Sequence, residues 1–196
     1  MMETWTAAVT LFLILDPLGN LPVVVSILNG VEAKRRTIVL IRELIFSLLI
    51  MFLFLFSGQT ILDVLGLQQE AVTIAGGIIL FLIALRMIFP TAGGVAGLEQ
   101  GEEPFLVPLA IPMIAGPSVL AALLLMSNQD PTRMVDWSIA VGAAWGATAV
   151  ILLSSGLLQK VLGARGLTAM ERLMGMVLVM ISVQMLLDGI KHYFNL

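Results

Sequence analysis

Apolar residues fall into six long stretches, roughly 5–28, 38–58, 71–90, 104–126, 137–158 and 170–190. Each is long enough to cross a hydrocarbon core of about 30 Å as a helix, which takes about 20 mostly apolar residues. The polar punctuation is short: Asn29 to Arg36, Asp63 to Glu70, Thr91 to Glu103, Ser127 to Pro131, and Gln159 to Thr168. No gap holds a soluble domain, so the pattern predicts an all-α polytopic membrane protein with six transmembrane helices in a single membrane domain, 1–196. The first stretch lacks the basic region and cleavage site of a signal peptide and is expected to be retained. Thr168-Ala169-Met170-Glu171 reads as a capping box opening the sixth helix. Gly142 and Gly146 give the fifth helix a small-residue face, expected to pack within the bundle, with dimerisation as the alternative.

The pattern also repeats. The first stretch contains Asp16-Pro17-Leu18-Gly19-Asn20-Leu21-Pro22 and the fourth Ile111-Pro112-Met113-Ile114-Ala115-Gly116-Pro117, each with two prolines five residues apart and a glycine between. The third and sixth stretches match over Gly77–Ile88 and Gly175–Leu186, and the two offsets, 95 and 98, nearly agree. Three helices per half make the second half enter from the opposite face. The expectation is therefore two inverted three-helix repeats, 1–94 and 95–196, with helices 1 and 4 broken. Such repeats with interrupted helices in corresponding positions point to a transporter site near the midplane.

Composition agrees with the membrane reading. Apolar residues make up 59% and charged residues 12%, against about 45–50% and about 25% in soluble domains. Mean hydropathy is +1.06 and the isoelectric point is near 5.0, which excludes a nucleic-acid partner. There is no cysteine and one histidine, His192, so thiolate metal sites and His-rich clusters are excluded and no metal site is expected. Placing the N-terminus outside puts Lys34, Arg35, Arg36, Arg42, Arg86, Lys160, Arg165 and Arg172 on the cytoplasmic side, 8 of the 10 basic residues. The bias of Lys and Arg toward the cytoplasm then turns both termini outward.

Proline in a helix deletes a backbone hydrogen bond, and in lipid the freed groups need a protein or aqueous partner. Pro17 with Pro22, and Pro112 with Pro117, are therefore expected to unwind helices 1 and 4 over a short stretch, with a simple proline kink as the alternative. The two new helix N-termini would approach each other from opposite sides, where partial positive charge and free N–H groups suit an anion. The expected binding residues are Asp16, Gly19, Asn20, Ala115, Gly116 and Ser118, the small ones admitting a solute to the backbone. Asp16 reads as a ligand for a substrate ammonium, a coupling proton or a sodium ion. It reads equally as the N-cap of the helix that Pro17 begins, and the two roles are compatible. Positive helix ends beside one carboxylate suit a zwitterion, hence amino acids over sugars. Glu43, Arg86 and Gln184 are the candidates for a gate or for coupling, with Glu43–Arg86 as an ion pair or as local charge balance.

Asp16 to Pro22, Ile111-Pro112 to Gly116-Pro117, Arg172 to Gly175 and Gln184-Met185 together resemble the bacterial MarC family of integral membrane proteins, over essentially the whole chain. The family is grouped with neutral amino acid transporters and more distantly with LysE-type exporters. The resemblance implies a multi-pass inner-membrane carrier for small solutes, driven by the proton gradient; the Lys and Arg bias then makes both termini periplasmic, and no cofactor is expected. The expected partners are the lipid bilayer and a small-molecule substrate, with a homo-oligomer compatible. A passive channel and an accessory protein without transport activity are the alternatives. An enzyme is not expected, because no nucleophile–base pair or metal motif lies within a span.

Overall fold

The computed structural model describes residues 3–89 and 103–194. Its α-helices are α1 Thr4–Leu15, α2 Pro17–Asn29, α3 Arg36–Leu65, α4 Gln69–Ile88, α5 Pro117–Gln129, α6 Met134–Leu153 and α7 Ser155–Tyr193. Five segments are long and apolar enough to cross a membrane: Thr4–Asn29, Arg36–Leu65, Gln69–Ile88, Pro131–Leu153 and Thr168–Tyr193. Pro117–Asn128 is a shorter apolar helix. The chain is thus an all-α polytopic membrane protein. Its outer faces carry exposed Leu49, Leu53, Phe56, Leu82, Ile139, Val150, Met180 and Leu187, an apolar surface suited to lipid and not to water.

The fourth span departs from the expected helix. No α-helix forms before Pro117, because Pro104, Pro108 and Pro112 recur every fourth residue and each lacks an N–H for the preceding turn. The chain instead makes wide turns over Leu109–Ile114, with Ile111 extended. Ile111, Met113 and Ala115 donate their N–H groups five residues back, to Leu106, Pro108 and Ala110.

The first span is interrupted more sparingly. One residue, Asp16, adopts left-handed φ 39° and ψ 60° between α1 and α2, and α2 runs straight through Pro22. A one-residue hinge, with Asp16 as N-cap of the helix that Pro17 begins, forms in place of a longer unwound stretch.

Two further expectations are corrected. α7 is helical throughout the expected loop Gln159–Thr168, so no helix begins at Thr168. That stretch is polar but rich in helix formers and free of proline, so polarity alone does not stop it. A side chain at Gly142 or Gly146 would meet nothing within 4 Å, so the expected packing within the bundle is not made there. The proposed boundary between halves, 94/95, lies outside the described residues.

Packing pairs α4 with α7, α1 with α6, and α3 with α5 and the wide-turn segment. A buried core from Ala7 and Leu11 through Leu44, Met51, Ile114, Leu123 and Leu152 joins them. The α4–α7 seam closes on two glycines. A Cβ at Gly77 would stand 3.1 Å from the Ser182 carbonyl oxygen and 3.3 Å from Met185 and Leu186. A Cβ at Gly175 would stand 3.1 Å from the Ala84 carbonyl oxygen, 3.0 Å from Met87 and 2.8 Å from Ile88. Each group in one set lies 98 positions from its counterpart in the other.

Gly77→Leu and Gly175→Leu should each cost about 1–3 kcal/mol, the usual penalty of overpacking. Thermal unfolding in detergent checks this: both midpoints fall, while Gly142→Leu, with open space beside it, leaves the midpoint unchanged. An unaltered midpoint in both seam variants would contradict the close α4–α7 approach.

Candidate functional site

The hinge at Asp16 builds the first half of the site. Left-handed backbone costs a non-glycine residue roughly 1–2 kcal/mol, least for Asp and Asn, whose short side chains bond locally. Asp16 does so: its Oδ1 accepts the Gly19 N–H at 3.1 Å, capping α2. Gly19 is required by that cap, since a Cβ there would stand 2.1 Å from Asp16 Oδ2. Oδ2 itself accepts no hydrogen bond from the described residues.

The second half is the start of α5. Gly116, in extended conformation, precedes Pro117 and offers no side-chain cap. The first N–H groups of this helix therefore lack the partner that Asp16 supplies in α2. A Cβ at Gly116 would stand 2.7 Å from the Pro112 carbonyl oxygen, so glycine is needed there for the turn itself.

Asn20 joins the halves. Its side-chain amide donates to the Leu15 carbonyl at 2.9 Å and to the Met113 carbonyl at 3.2 Å. Both acceptors are products of the breaks. Leu15 loses its helical donor because Gly19 bonds Asp16 instead, and Met113 loses its own because Pro117 has no N–H. Sequence reasoning gave Asn20 to a solute; in the structure both its donors are engaged by backbone.

Between the breaks lies a cavity of about 100 Å³. Asp16, Gly19, Asn20, Gly116 and Ser118 line it, with Pro112 and Pro117. Ala115, fully buried, does not. The remaining wall is apolar and includes Leu80, Leu178 and Ile181. Asp16 and Ser118 are exposed at its rim, whereas Pro112, Met113, Ile114 and Pro117 form a buried floor. Pro22 sits inside α2, outside this lining.

The gate candidates lie elsewhere. Glu43 is fully buried and pairs with Arg42 at 3.1 Å, not with Arg86, which is exposed in the last turn of α4. Gln184 donates to Asp188 on the exposed face of α7. Sequence reasoning missed Glu103, whose carboxylate binds Arg35 at 2.7 Å and Arg42 at 3.3 Å. Arg42 also donates to the Pro104 carbonyl and lies over the Phe105 ring. These contacts tie the start of the fourth span to α3.

A profile of MarC family integral membrane proteins matches residues 1–194. The chain belongs to the MarC family. This MarC-family chain is 56% identical to the UPF0056 inner membrane protein YhgN of Escherichia coli K12 over the full length of both. It is 51% identical over 195 residues, the full length of both, to a UPF0056 membrane protein of Buchnera aphidicola from Acyrthosiphon pisum. A Pyrococcus abyssi UPF0056 membrane protein is 30% identical, covering 96% of this chain and 94% of that one. No solved structure matches.

Two expectations follow for the MarC-family chain. Asn20→Leu leaves two carbonyls without their donor and should cost about 1–3 kcal/mol for each, read as a lowered denaturation midpoint in detergent. The Arg35 hydrogen bond holds the Glu103 carboxyl below its ordinary value of 4.5. The ion pair is therefore complete above that value and lost as pH falls through the lowered one. Protection of the amides of residues 103–116 against hydrogen exchange, taken relative to the intrinsic rate at each pH, should be high at neutral pH and fall on such acidification, and Glu103→Gln should lower it at neutral pH.

Proposed function

We propose that this protein is a secondary transporter of the inner membrane, carrying small neutral amino acids or similar zwitterions by alternating access. The observation that carries the reading is the pairing of opposite electrostatics in one cavity. Among the described residues, Asp16 presents a carboxylate oxygen with no hydrogen-bond partner, and α5 presents uncapped N–H groups at Ser118 and Val119. A substrate ammonium meets the first and a substrate carboxylate the second. Leu80, Leu178 and Ile181 receive a short apolar side chain, and a cavity of about 100 Å³ limits its size. An ionised Asp16 facing hydrocarbon would cost about 2.5–3.5 kcal/mol, so its exposed rim is the aqueous access.

Two inverted repeats supply the moving parts. The α4–α7 seam favours this reading: its contacts exchange under a shift of 98 residues, as a two-fold axis between the halves requires. The lining residues Leu80 and Leu178 obey the same shift. Rocking one half against the other then opens the cavity to alternate sides. The inner membrane follows the name of the Escherichia coli relative. With the N-terminus outside, 8 of the 10 basic residues fall on the cytoplasmic side, and both termini then face the periplasm.

A thermal-shift screen of purified protein against amino acids tests the reading. A ligand at about a hundred times its Kd adds about 2.7 kcal/mol to stability. Small neutral amino acids should raise the midpoint, and Asp16→Asn should abolish both that shift and gradient-dependent uptake while remaining monodisperse. Full uptake by Asp16→Asn would remove the carboxylate from the site. Flux indifferent to any gradient would identify a passive pore.

A further inference from the structure

We propose that Glu43 is a proton-binding site that couples protonation to the position of the fourth span; as a coupling site it rests on the transport reading above. Glu43 lies on α3, away from the cavity lining, and its side chain is 0% exposed. Its Oε1 is held by Arg42. Its Oε2 is buried and has no hydrogen-bond partner, a state it shares among the described residues with the Thr148 hydroxyl. A buried carboxylate is ordinarily bonded at both oxygens, so the free oxygen marks a place where something binds.

The neighbours decide what binds. Arg42 is the charged group in direct contact, and it links Glu43 to Glu103, which links in turn to Arg35. From the fourth span, Leu106 and Ala110 bring their backbone N–H groups near the same carboxylate without closing a hydrogen bond onto Oε2. From α6, Trp145 reaches this level and donates to the Leu44 carbonyl. A sodium ion would meet one carboxylate beside a guanidinium and no cluster of acidic ligands among the described residues. A proton needs only Oε2. The linked chain of charges also leads outward, from buried Glu43 through Arg42 and Glu103 to Arg35, which is about half exposed.

The consequence is mechanical. Two carboxylates and two guanidiniums are neutral together. One proton taken from water onto Glu43 leaves the group with net charge +1 and leaves Arg42 one anion short. Arg42 holds the Pro104 carbonyl and Glu103 to α3, and Glu43 faces Leu106 and Ala110 beside it. The same segment continues, six residues beyond Ala110, to Gly116 at the cavity. Protonation thus loosens a strap attached directly to the solute site, and deprotonation restores it.

The test uses full-length protein in two assays. In proteoliposomes, wild type accumulates L-alanine on an imposed proton gradient and also exchanges it by counterflow. Glu43→Gln is expected to lose accumulation and keep counterflow. Accumulation equal to wild type in Glu43→Gln overturns the proposal. Wild type with neither activity sinks the transport reading instead, and the second assay still judges the site. An infrared difference spectrum across the neutral pH range should show a protonated-carboxyl band in wild type and in Asp16→Asn, missing from Glu43→Gln and displaced in Glu43→Asp. If Glu43→Gln does not fold, Glu43→Asp takes its place, and a wild-type spectrum without such a band overturns the proposal by itself.

Discussion

The structure turns on one amide. A carbonyl freed by proline inside a bilayer has no water to bond, and leaving it bare costs several kcal/mol. Pro117 leaves the Met113 carbonyl without its helical donor, and the break before Pro17 diverts the Gly19 N–H from the Leu15 carbonyl to the Asp16 side chain. Asn20 satisfies one on each side, Leu15 and Met113, with the two N–H groups of a single side chain. That shared donor holds the breaks face to face. The surrounding residues follow from the same constraint: Gly19 leaves room for the Asp16 cap, and Gly116 for the Pro112 carbonyl.

The two breaks are therefore alike in position and unlike in charge. The N-terminus of α2 is already neutralised by the Asp16 carboxylate, while that of α5 has no cap. Two bare positive ends would suit an anion; one capped and one bare end are what the proposed zwitterionic substrate would require. The asymmetry has a local origin. Asp precedes Pro17 and Gly precedes Pro117, so only one of two otherwise comparable helix starts brings its own counter-charge.

Much of this was legible from residue pattern. Span lengths, the absence of soluble insertions and the two proline-bearing segments are read directly from apolar run length and from proline's missing N–H. The wide turns before Pro117 had a signal as well, the four-residue recurrence of Pro104, Pro108 and Pro112. Hydropathy concealed it, because an apolar stretch scores alike whether or not its backbone can close helical bonds. The opposite error occurred at Gln159–Thr168, where polar side chains suggested a loop although nothing in the backbone prevented a helix. Glu43 was singled out for its charge, but the pattern could not name Arg42 and Glu103 as its network, since Arg86 stood at a comparable depth.

The sequence by itself determined where the chain is apolar enough for lipid and where its backbone must break. Both are properties of individual residues and their immediate neighbours: side-chain hydrophobicity, and a proline ring with no hydrogen to donate. Tertiary structure alone decided which group answers each broken bond. Asn20 and Met113 lie 93 residues apart, and Glu43 is linked through Arg42 to Glu103, 61 residues from that arginine. Hydrogen bonds and ion pairs act over about 3 Å, so their partners are settled by which helices pack together and not by position along the chain.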